Sequence, residues 1–183
     1  MITRRSLGAL AIGAGLPLPA LAQGLSARPI RLVIPFTPAG TTDLVGRLTA
    51  ERLAARLGQQ VIVDNRPGAS GNVGGEFVAR SEPDGHTLLL TTIGTGAINF
   101  AVFGNRMPFK PEDLAAVGLM CRVPNVLMAA NRMPIRSLTD MVREAKAKPS
   151  ALNYGTAGIA TSPHVGLDKV VKMGFAKVIL HLP

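Results

Sequence analysis

The sequence contains a single cysteine, Cys121, and no tryptophan, and only 4% of its residues are aromatic. One cysteine cannot form an intramolecular disulfide, even in an oxidising compartment. We expect Cys121 to be a small core residue rather than a nucleophile, because no His or Asp lies at a spacing typical of a catalytic dyad. The scarcity of aromatic side chains predicts an aliphatic core.

Motifs of the common catalytic and metal sites are also missing. The three histidines, His86, His164 and His181, have no partners at metal-ligand spacing. No nucleophile elbow, Walker loop or dinucleotide-binding glycine motif follows a predicted strand. We therefore expect no catalytic residue, no bound metal and no cofactor, and we interpret the chain as a binding protein rather than an enzyme. His164 is expected to fix a loop rather than to do acid–base work.

Acidic residues are few, with 11 Asp and Glu against 20 Lys and Arg, so the formal net charge is +9. Such an excess can attract nucleic acid, an acidic membrane surface or small anions. Because the basic residues are scattered and aromatics for stacking are nearly absent, we exclude nucleic acid as the partner. A field that draws small anions fits better, and a basic surface with no function is the simpler alternative.

The sequence predicts an export signal over residues 1–22. A short basic region with Arg4 and Arg5 precedes an apolar core from Ser6 to Pro19, and an A-x-A cleavage site ends just before Gln23. The core is too short to span a membrane, and no later segment approaches 18 uninterrupted apolar residues. We expect a periplasmic protein exported by a Sec or a twin-arginine signal.

Strands and helices alternate along the mature chain. Predicted strands cover 30–36, 60–63 and 86–92, and predicted helices cover 42–57 and 73–80. This order implies an α/β fold with a parallel sheet and helices on its faces. Ligands of such sheets bind beyond the carboxyl ends of the strands, where the loops at 37–42, 66–72 and 93–99 lie.

The second half repeats this arrangement after an irregular stretch. Leu114–Ala129 predicts two short strands around Pro124, and Ser137 is expected to cap a helix that closes at Pro149. A strand at 152–154 leads through the small-residue loop 155–162 into another helix. We expect two lobes, residues 23–100 and residues 101–183, that face each other across a hinge with one anion contact from each.

The first strand–loop–helix unit is the more informative one. Pro38, Ala39 and Gly40 predict a turn after the strand, and Thr41, Thr42 and Asp43 are all good helix N-caps. A helix N-terminus at this point presents free backbone N–H groups and the positive end of the helix dipole. These are the features that bind a carboxylate or a phosphate.

Several short segments together form a recognisable pattern: Pro29–Phe36, Thr41–Asp43, Arg56–Gln59, Asn65–Ala69, Pro83–Gly85, Ala97–Asn99, Val123–Val126 and Leu152–Gly155, followed by His164. This pattern resembles the Bug-type, TctC-like extracytoplasmic solute receptors of tripartite tricarboxylate transporters. The resemblance implies a monomeric periplasmic-binding-protein-like (Venus flytrap) fold that hands small carboxylates to membrane permease subunits. By position, its carboxylate contacts are Thr37, Ala39, Gly40, Thr42, Asp43, Gly155, Thr156, Ala157 and Thr161.

Three departures from the family pattern matter. The family usually has Gly where this chain has Ala39, which would strain the loop if that position needs a positive φ. Ser70 replaces a usual Gly in the second loop, which we expect to be a milder change. The chain is also shorter than the roughly 300 residues of family members, the size of two domains, so we expect an incomplete second half. A truncated remnant that does not bind and, less favoured, a periplasmic enzyme stay as alternatives.

Overall fold

A three-stranded parallel sheet forms the centre of the first half of the molecule. The computed structural model describes residues 28–148, 152–173 and 180–182. Its first three strands are β1 (Ile30–Ile34), β2 (Val61–Asn65) and β3 (Thr87–Leu89), in the spatial order β2-β1-β3. Both neighbours run parallel to β1. The central strand carries a nearly continuous apolar sequence because helices and loops bury both of its faces.

Five helices and a second small sheet complete the described chain. The helices are α1 (Thr41–Leu57), α2 (Asn72–Ala79), α3 (Asn99–Phe103), α4 (Leu138–Ala147) and α5 (Ser162–Met173). Strands β4 (Asn153–Gly155) and β5 (Leu180–Leu182) pair in parallel. Short helical turns cover Ala69–Gly71, Gly94–Ile98, Gly104–Arg106 and Pro111–Asp113. None of the helices in these described ranges has both the length and the apolar sequence of a membrane span.

The aliphatic core lies between the sheet and α1. Leu32, Ile34, Ala50 and Leu90 are buried together, and partly buried residues of α1, β2 and β3 pack against them: Val45, Val61, Val63 and Leu88. On the other side, α2 approaches the sheet closely through Gly74, where an added Cβ would lie 2.7 Å from the Cβ of Pro35. Burial of such aliphatic side chains is the main force that holds helices to a sheet.

The α/β class and the parallel sheet predicted from the sequence are confirmed. Helix α1 follows the predicted range, and it ends at Gly58, whose φ of 64° places it in the left-handed region of a helix C-cap. Ser137 caps α4 as expected, because its side chain accepts a hydrogen bond of 3.1 Å from the Asp140 N–H. Strand β2 begins one residue late and extends to Asn65, and β3 is shorter than predicted.

Two predictions are wrong in the middle of the chain. The structure has no strand within Leu114–Ala129, although the sequence predicts two. A strand needs a neighbour for its backbone hydrogen bonds, and the described residues supply none here. Cys121, expected in the core, is exposed on this same segment. The predicted export signal and the closing Pro149 lie outside the described residues.

Candidate functional site

The first candidate loop lies at the carboxyl end of β1. Thr37, Ala39 and Gly40 are exposed there, while Thr42 is half-buried and Asp43 is only 3% exposed. The N-cap of α1 is Gly40, in extended backbone, and no side chain caps this end. The prediction that Thr41, Thr42 or Asp43 supplies the cap is therefore wrong. Asp43 lies at the third helical position and reaches back instead.

The Asp43 carboxylate is the centre of a polar network. It accepts hydrogen bonds from the Ala39 N–H at 3.0 Å, from Arg47 Nε at 2.9 Å and from Asn65 Nδ2 at 2.9 Å. The hydrogen bond from Arg47, then those from Ala39 and Asn65, lower the pKa of Asp43 from 3.8 to about 2. Asp43 is therefore a carboxylate at neutral pH, with Arg47 as its counter-ion.

Ala39 has a φ of 69°, in the region that glycine adopts without strain. The position therefore has the positive φ on which the expected strain depended. The hydrogen bond from the Ala39 N–H to Asp43 holds the residue in this conformation. The same bond occupies the Ala39 amide, so this N–H, expected to face a ligand, is directed into the protein.

Two residues that sequence reasoning missed, Arg47 and Asn65, hold this loop in place. Asn65 Nδ2 also donates to the Phe36 carbonyl at 3.1 Å, so one amide group joins the end of β2 to the first loop and to α1. The sequence did single out Asn65, because this residue belongs to one of the segments that resemble the receptor family. It also ends β2, the strand that pairs with β1. Arg47 lies one helical turn after Asp43, at the i,i+4 spacing of a helical ion pair.

A second loop, between β2 and α2, is strained as well. Ala69 and Ser70 have φ angles of 46° and 56°. The change from glycine to Ser70 is therefore not the mild one expected. The Ser70 carbonyl accepts hydrogen bonds from Thr95 Oγ1 at 3.0 Å and from Asn99 Nδ2 at 3.1 Å. Both donors are buried, so the loop is held from the side of the protein interior.

The loop after β4 supplies the other candidate residues. Gly155 and Ala157 are exposed, Thr156 is half-buried and Thr161 is buried. Thr156 Oγ1 and Thr161 Oγ1 both donate to the Gly158 carbonyl, at 3.2 and 2.6 Å. The two threonine hydroxyls therefore shape this turn.

His164 fixes the end of that loop, as expected from the sequence. Its Nδ1 accepts a hydrogen bond of 3.3 Å from the N–H of Ala160. Ala160 is buried and has a φ of 63°, so the bond stabilises a backbone conformation that alanine rarely adopts. An accepting Nδ1 requires that the ring proton be on Nε2 when the imidazole is neutral.

The loop after β4 lies against two loops of the first half: the second loop, between β2 and α2, and the third loop, which follows β3. A Cβ added at Gly158 would lie 3.1 Å from Ser70 Oγ, and one added at Gly94 would lie 3.3 Å from the Cα of Thr161. The structure thus unites Ala39 and Asp43 in one network, and it places Thr161 beside Gly94 of the third loop. No hydrogen bond in the described part of the chain joins Thr37–Asp43 to Gly155, Ala157 or Thr161.

A cleft of about 480 Å³ opens near the amino ends of β1 and β3, around Arg31, Phe77 and His86. We do not place the candidate site there, because both arginines that line the cleft already face carboxylates. Arg28 forms an ion pair with Asp84, and Arg31 lies 3.5 Å from an oxygen of Asp64. Across the residues that the structure describes, no group of three or more His, Cys, Asp and Glu side chains could hold a metal ion.

Comparison with known proteins gives a consistent result. Residues 45–183 match the family described as "Tripartite tricarboxylate transporter family receptor". The chain is 38% identical to a UPF0065 protein of Bordetella pertussis, over 88% of this chain and 50% of that protein. It is 34% identical to the protein BugT of the same organism, over 87% of this chain and 49% of BugT.

Two solved structures share its fold. The structure "R. palustris Rpa4515 with adipate" has a TM-score of 0.81 at 34% identity, and MatC (Rpa3494) from Rhodopseudomonas palustris with bound malate has 0.78 at 28%. Both comparisons cover 85% of this chain, and they cover 52% and 53% of the other chains.

The chain therefore spans about half the length of the relatives that it matches. Over that half, the periplasmic-binding-protein-like fold predicted from the sequence is confirmed, and the matching family consists of receptors rather than enzymes. The chain belongs to the family of tripartite tricarboxylate transporter receptors.

Proposed function

We propose that this chain is part of a solute-binding receptor that captures small carboxylates for a tripartite tricarboxylate-type transporter. The observation that carries the proposal is the repeated unit of strand, small-residue loop and long helix. Helix α1 has 17 residues and α5 has 12, and each begins at such a loop. A helix start leaves backbone N–H groups without intrahelical acceptors, at the positive end of the dipole. Two such starts suit the two ends of a dicarboxylate.

The first loop would bind one carboxylate through backbone donors. Gly40 and Thr42 are the proposed amide donors, and the exposed Thr37 adds a hydroxyl group. Asp43 acts as a positioning residue, since its negative charge would repel a bound carboxylate while its hydrogen bonds hold the loop. Ala39 contributes through the turn that it forms.

The loop after β4 would bind the other carboxylate. Gly155, Thr156 and Ala157 lie at the end of β4, where ligands of parallel sheets bind. The hydroxyl of Thr161 already donates to Gly158, so Thr161 supports the shape of the loop. In this proposal, residues 23–100 and 101–183 belong to separate lobes, and the ligand lies between them.

The neighbours support the substrate class. One was solved with adipate and another with bound malate, and both of these molecules are dicarboxylates. The family description supports a membrane permease as the partner, and a neighbour described as a periplasmic binding protein supports that compartment. We further propose that the receptor works as a monomer.

Thermal unfolding in the presence of candidate ligands tests this function. Because the chain lacks tryptophan, unfolding is followed by circular dichroism. We expect adipate, malate or a tricarboxylate to raise Tm in a concentration-dependent manner, by mass action. The uncharged diamide of adipate serves as the matched control and should have no effect. An equal response to the diamide contradicts carboxylate recognition, absence of any response favours the non-binding remnant, and substrate turnover favours an enzyme.

Cell fractionation tests the proposed compartment. The double variant Arg4→Lys, Arg5→Lys keeps the positive charge that a Sec signal needs but removes the arginine pair of a twin-arginine signal. We expect the unaltered chain in the periplasmic fraction, and retention of the variant in the cytoplasm identifies the twin-arginine route. An unaltered chain that stays in the cytoplasm contradicts the proposal.

A further inference from the structure

The segment Val117–Met128 exposes an unusual amount of apolar surface. Val117 is 89% exposed and Met128 is 85% exposed. Large apolar side chains that are also exposed in this segment are Leu119, Met120, Val123, Val126 and Leu127. Monomeric proteins rarely leave a contiguous apolar surface of this kind uncovered, so such a surface marks an interface.

The sequence of this segment is that of a strand. Val117, Leu119, Cys121 and Val123 alternate with other residues at period two, and Val126 and Met128 repeat the spacing after Pro124. Period-two alternation places these side chains on one face of an extended chain. The pattern therefore suits a strand of a sheet, although no strand forms here within the described residues.

The segment is nevertheless held at two points. The Thr49 hydroxyl on α1 lies 3.9 Å from the sulfur of Met120, and the Ser162 hydroxyl at the start of α5 lies 3.4 Å from Asn125 Oδ1. The segment thus runs between the two halves of the described chain, and its apolar side chains face solvent between these contacts. Among the described residues, its backbone has no neighbouring strand of the kind that a strand requires.

We propose that Val117–Met128 is a docking surface for the half of the receptor fold that this chain does not span. The fold agrees with the adipate-bound relative at a TM-score of 0.81, yet the match covers only 52% of that chain. The remaining half of the relative must pack against surfaces that this chain also possesses. This segment is apolar and has a strand pattern, and no described residue pairs with its backbone. Strands from the other half would cover such a surface by the same β-addition that binds extended peptides to sheets.

Cys121 provides a native probe, because it is the only cysteine and lies within the segment. The experiment compares the rate of thiol labelling in the chain alone with that in a fusion to the uncovered half of the adipate-bound relative. We expect labelling of Cys121 to be at least about tenfold slower in the fusion, because it then requires local opening. The matched control places the probe at Ala55 on the exposed polar side of α1, as Ala55→Cys with Cys121→Ser, and its rate should not change.

A second pair of measurements uses the same two proteins. The double substitution Val126→Lys, Met128→Lys should leave the Tm of the chain alone unchanged and improve its solubility, but it should lower the Tm of the fusion. Equal labelling of Cys121 in both proteins overturns the proposal, as does a fusion that tolerates both lysines. Slow labelling in the chain alone, together with a dimer mass, overturns it in favour of a second copy. Failure to obtain soluble fusions with the halves of two different relatives also counts against it.

Discussion

The carboxylate of Asp43 accepts a hydrogen bond of 3.0 Å from the backbone N–H of Ala39, a residue whose φ is 69°. Asp43 lies in the first turn of α1 and Ala39 lies just before the helix. The hydrogen bond thus connects the helix to a turn that the alanine side chain disfavours. The shape of the first candidate loop depends on this pair.

Replacement of Ala39 by glycine tests the strain. An alanine in the left-handed region costs about 1 kcal/mol, and glycine removes this cost while it adds flexibility to the unfolded chain. We expect Ala39→Gly to keep or raise the free energy of unfolding, measured by urea titration. The control Ala55→Gly, at an exposed position inside α1, should lower it by about 1 kcal/mol. Equal losses in the two variants would show that Ala39 is not strained.

The pH dependence of stability tests the charge of Asp43. Its pKa is lowered from 3.8 to about 2 in the folded chain. A carboxylate with a lowered folded-state pKa stabilises the fold above its unfolded pKa, and this stabilisation is lost as pH falls. The free energy of unfolding should therefore fall between about pH 4 and pH 2. Asp43→Asn should make this fall in the free energy of unfolding less steep. Some of the fall should remain in the variant, because the pKa values of Asp84 and Asp140 are also lowered. A variant curve parallel to that of the unaltered chain would contradict the assignment.

The contribution of Arg47 to the low pKa of Asp43 can be measured separately. Arg47 makes the largest contribution to the low pKa of Asp43, and hydrogen bonds from Ala39 and Asn65 supply much of the rest. We expect Arg47→Gln to raise the pKa of Asp43 part of the way towards 3.8, as followed by NMR titration of the carboxyl carbon. Arg52→Gln, on the same helix and exposed, is the control and should leave that pKa where it is. If the pKa of Asp43 stays at about 2 in Arg47→Gln, Arg47 does not make the largest contribution to it.

The side-chain amide of Asn65 should contribute more to the free energy of unfolding than its half-buried position suggests. Asn65→Ala leaves the Phe36 carbonyl and one oxygen of Asp43 without their donor. We expect a loss of about 1–3 kcal/mol in the free energy of unfolding, the usual result when a hydrogen-bond partner of a buried polar group is removed. Asn105→Ala, at an exposed position, should change it by less than about 0.5 kcal/mol. Losses of the same size at both positions would remove Asn65 from the network.

Contact between the halves can be tested at Gly94. A Cβ at this position would lie 3.3 Å from the Cα of Thr161, so the larger side chain of Gly94→Val should push the two loops apart. We expect faster hydrogen exchange in the loop after β4, at Gly158–Thr161. Gly118→Val is the matched control, because an added Cβ there meets nothing within 4 Å. Unchanged exchange in Gly94→Val would mean that the loops are not in contact in solution.

Local sequence signals predicted much of the fold. Hydrophobic spacing and Gly58 defined α1, and Ser137 defined the start of α4. The alternation of strands and helices indicated the parallel sheet. The same signals failed at Leu114–Ala129, because a period-two pattern records which residues suit a strand but not whether a neighbouring strand is present. Cys121 was misplaced for the same reason.

The position of the first candidate loop was predictable from the sequence, but its internal contacts were not. The strand–loop–helix pattern located the loop, and the missing glycine drew attention to Ala39, whose φ is positive. The role of Asp43 was different from the predicted cap, because its side chain turns back to Ala39 and across to Asn65. Asn65 is 22 residues away in sequence and adjacent only because the sheet is parallel. Such contacts depend on tertiary structure.

The most direct test of carboxylate binding is an NMR titration of the chain with adipate, followed through its backbone amides. NMR detects weak binding, so the test does not require the half of the fold that the chain does not span. Binding at the two loops predicts concentration-dependent shifts at Gly40, Thr42, Gly155 and Ala157, none at Gly118, and no response to the uncharged diamide. Equal shifts with the diamide, or shifts confined to the cleft around Arg31, would contradict it.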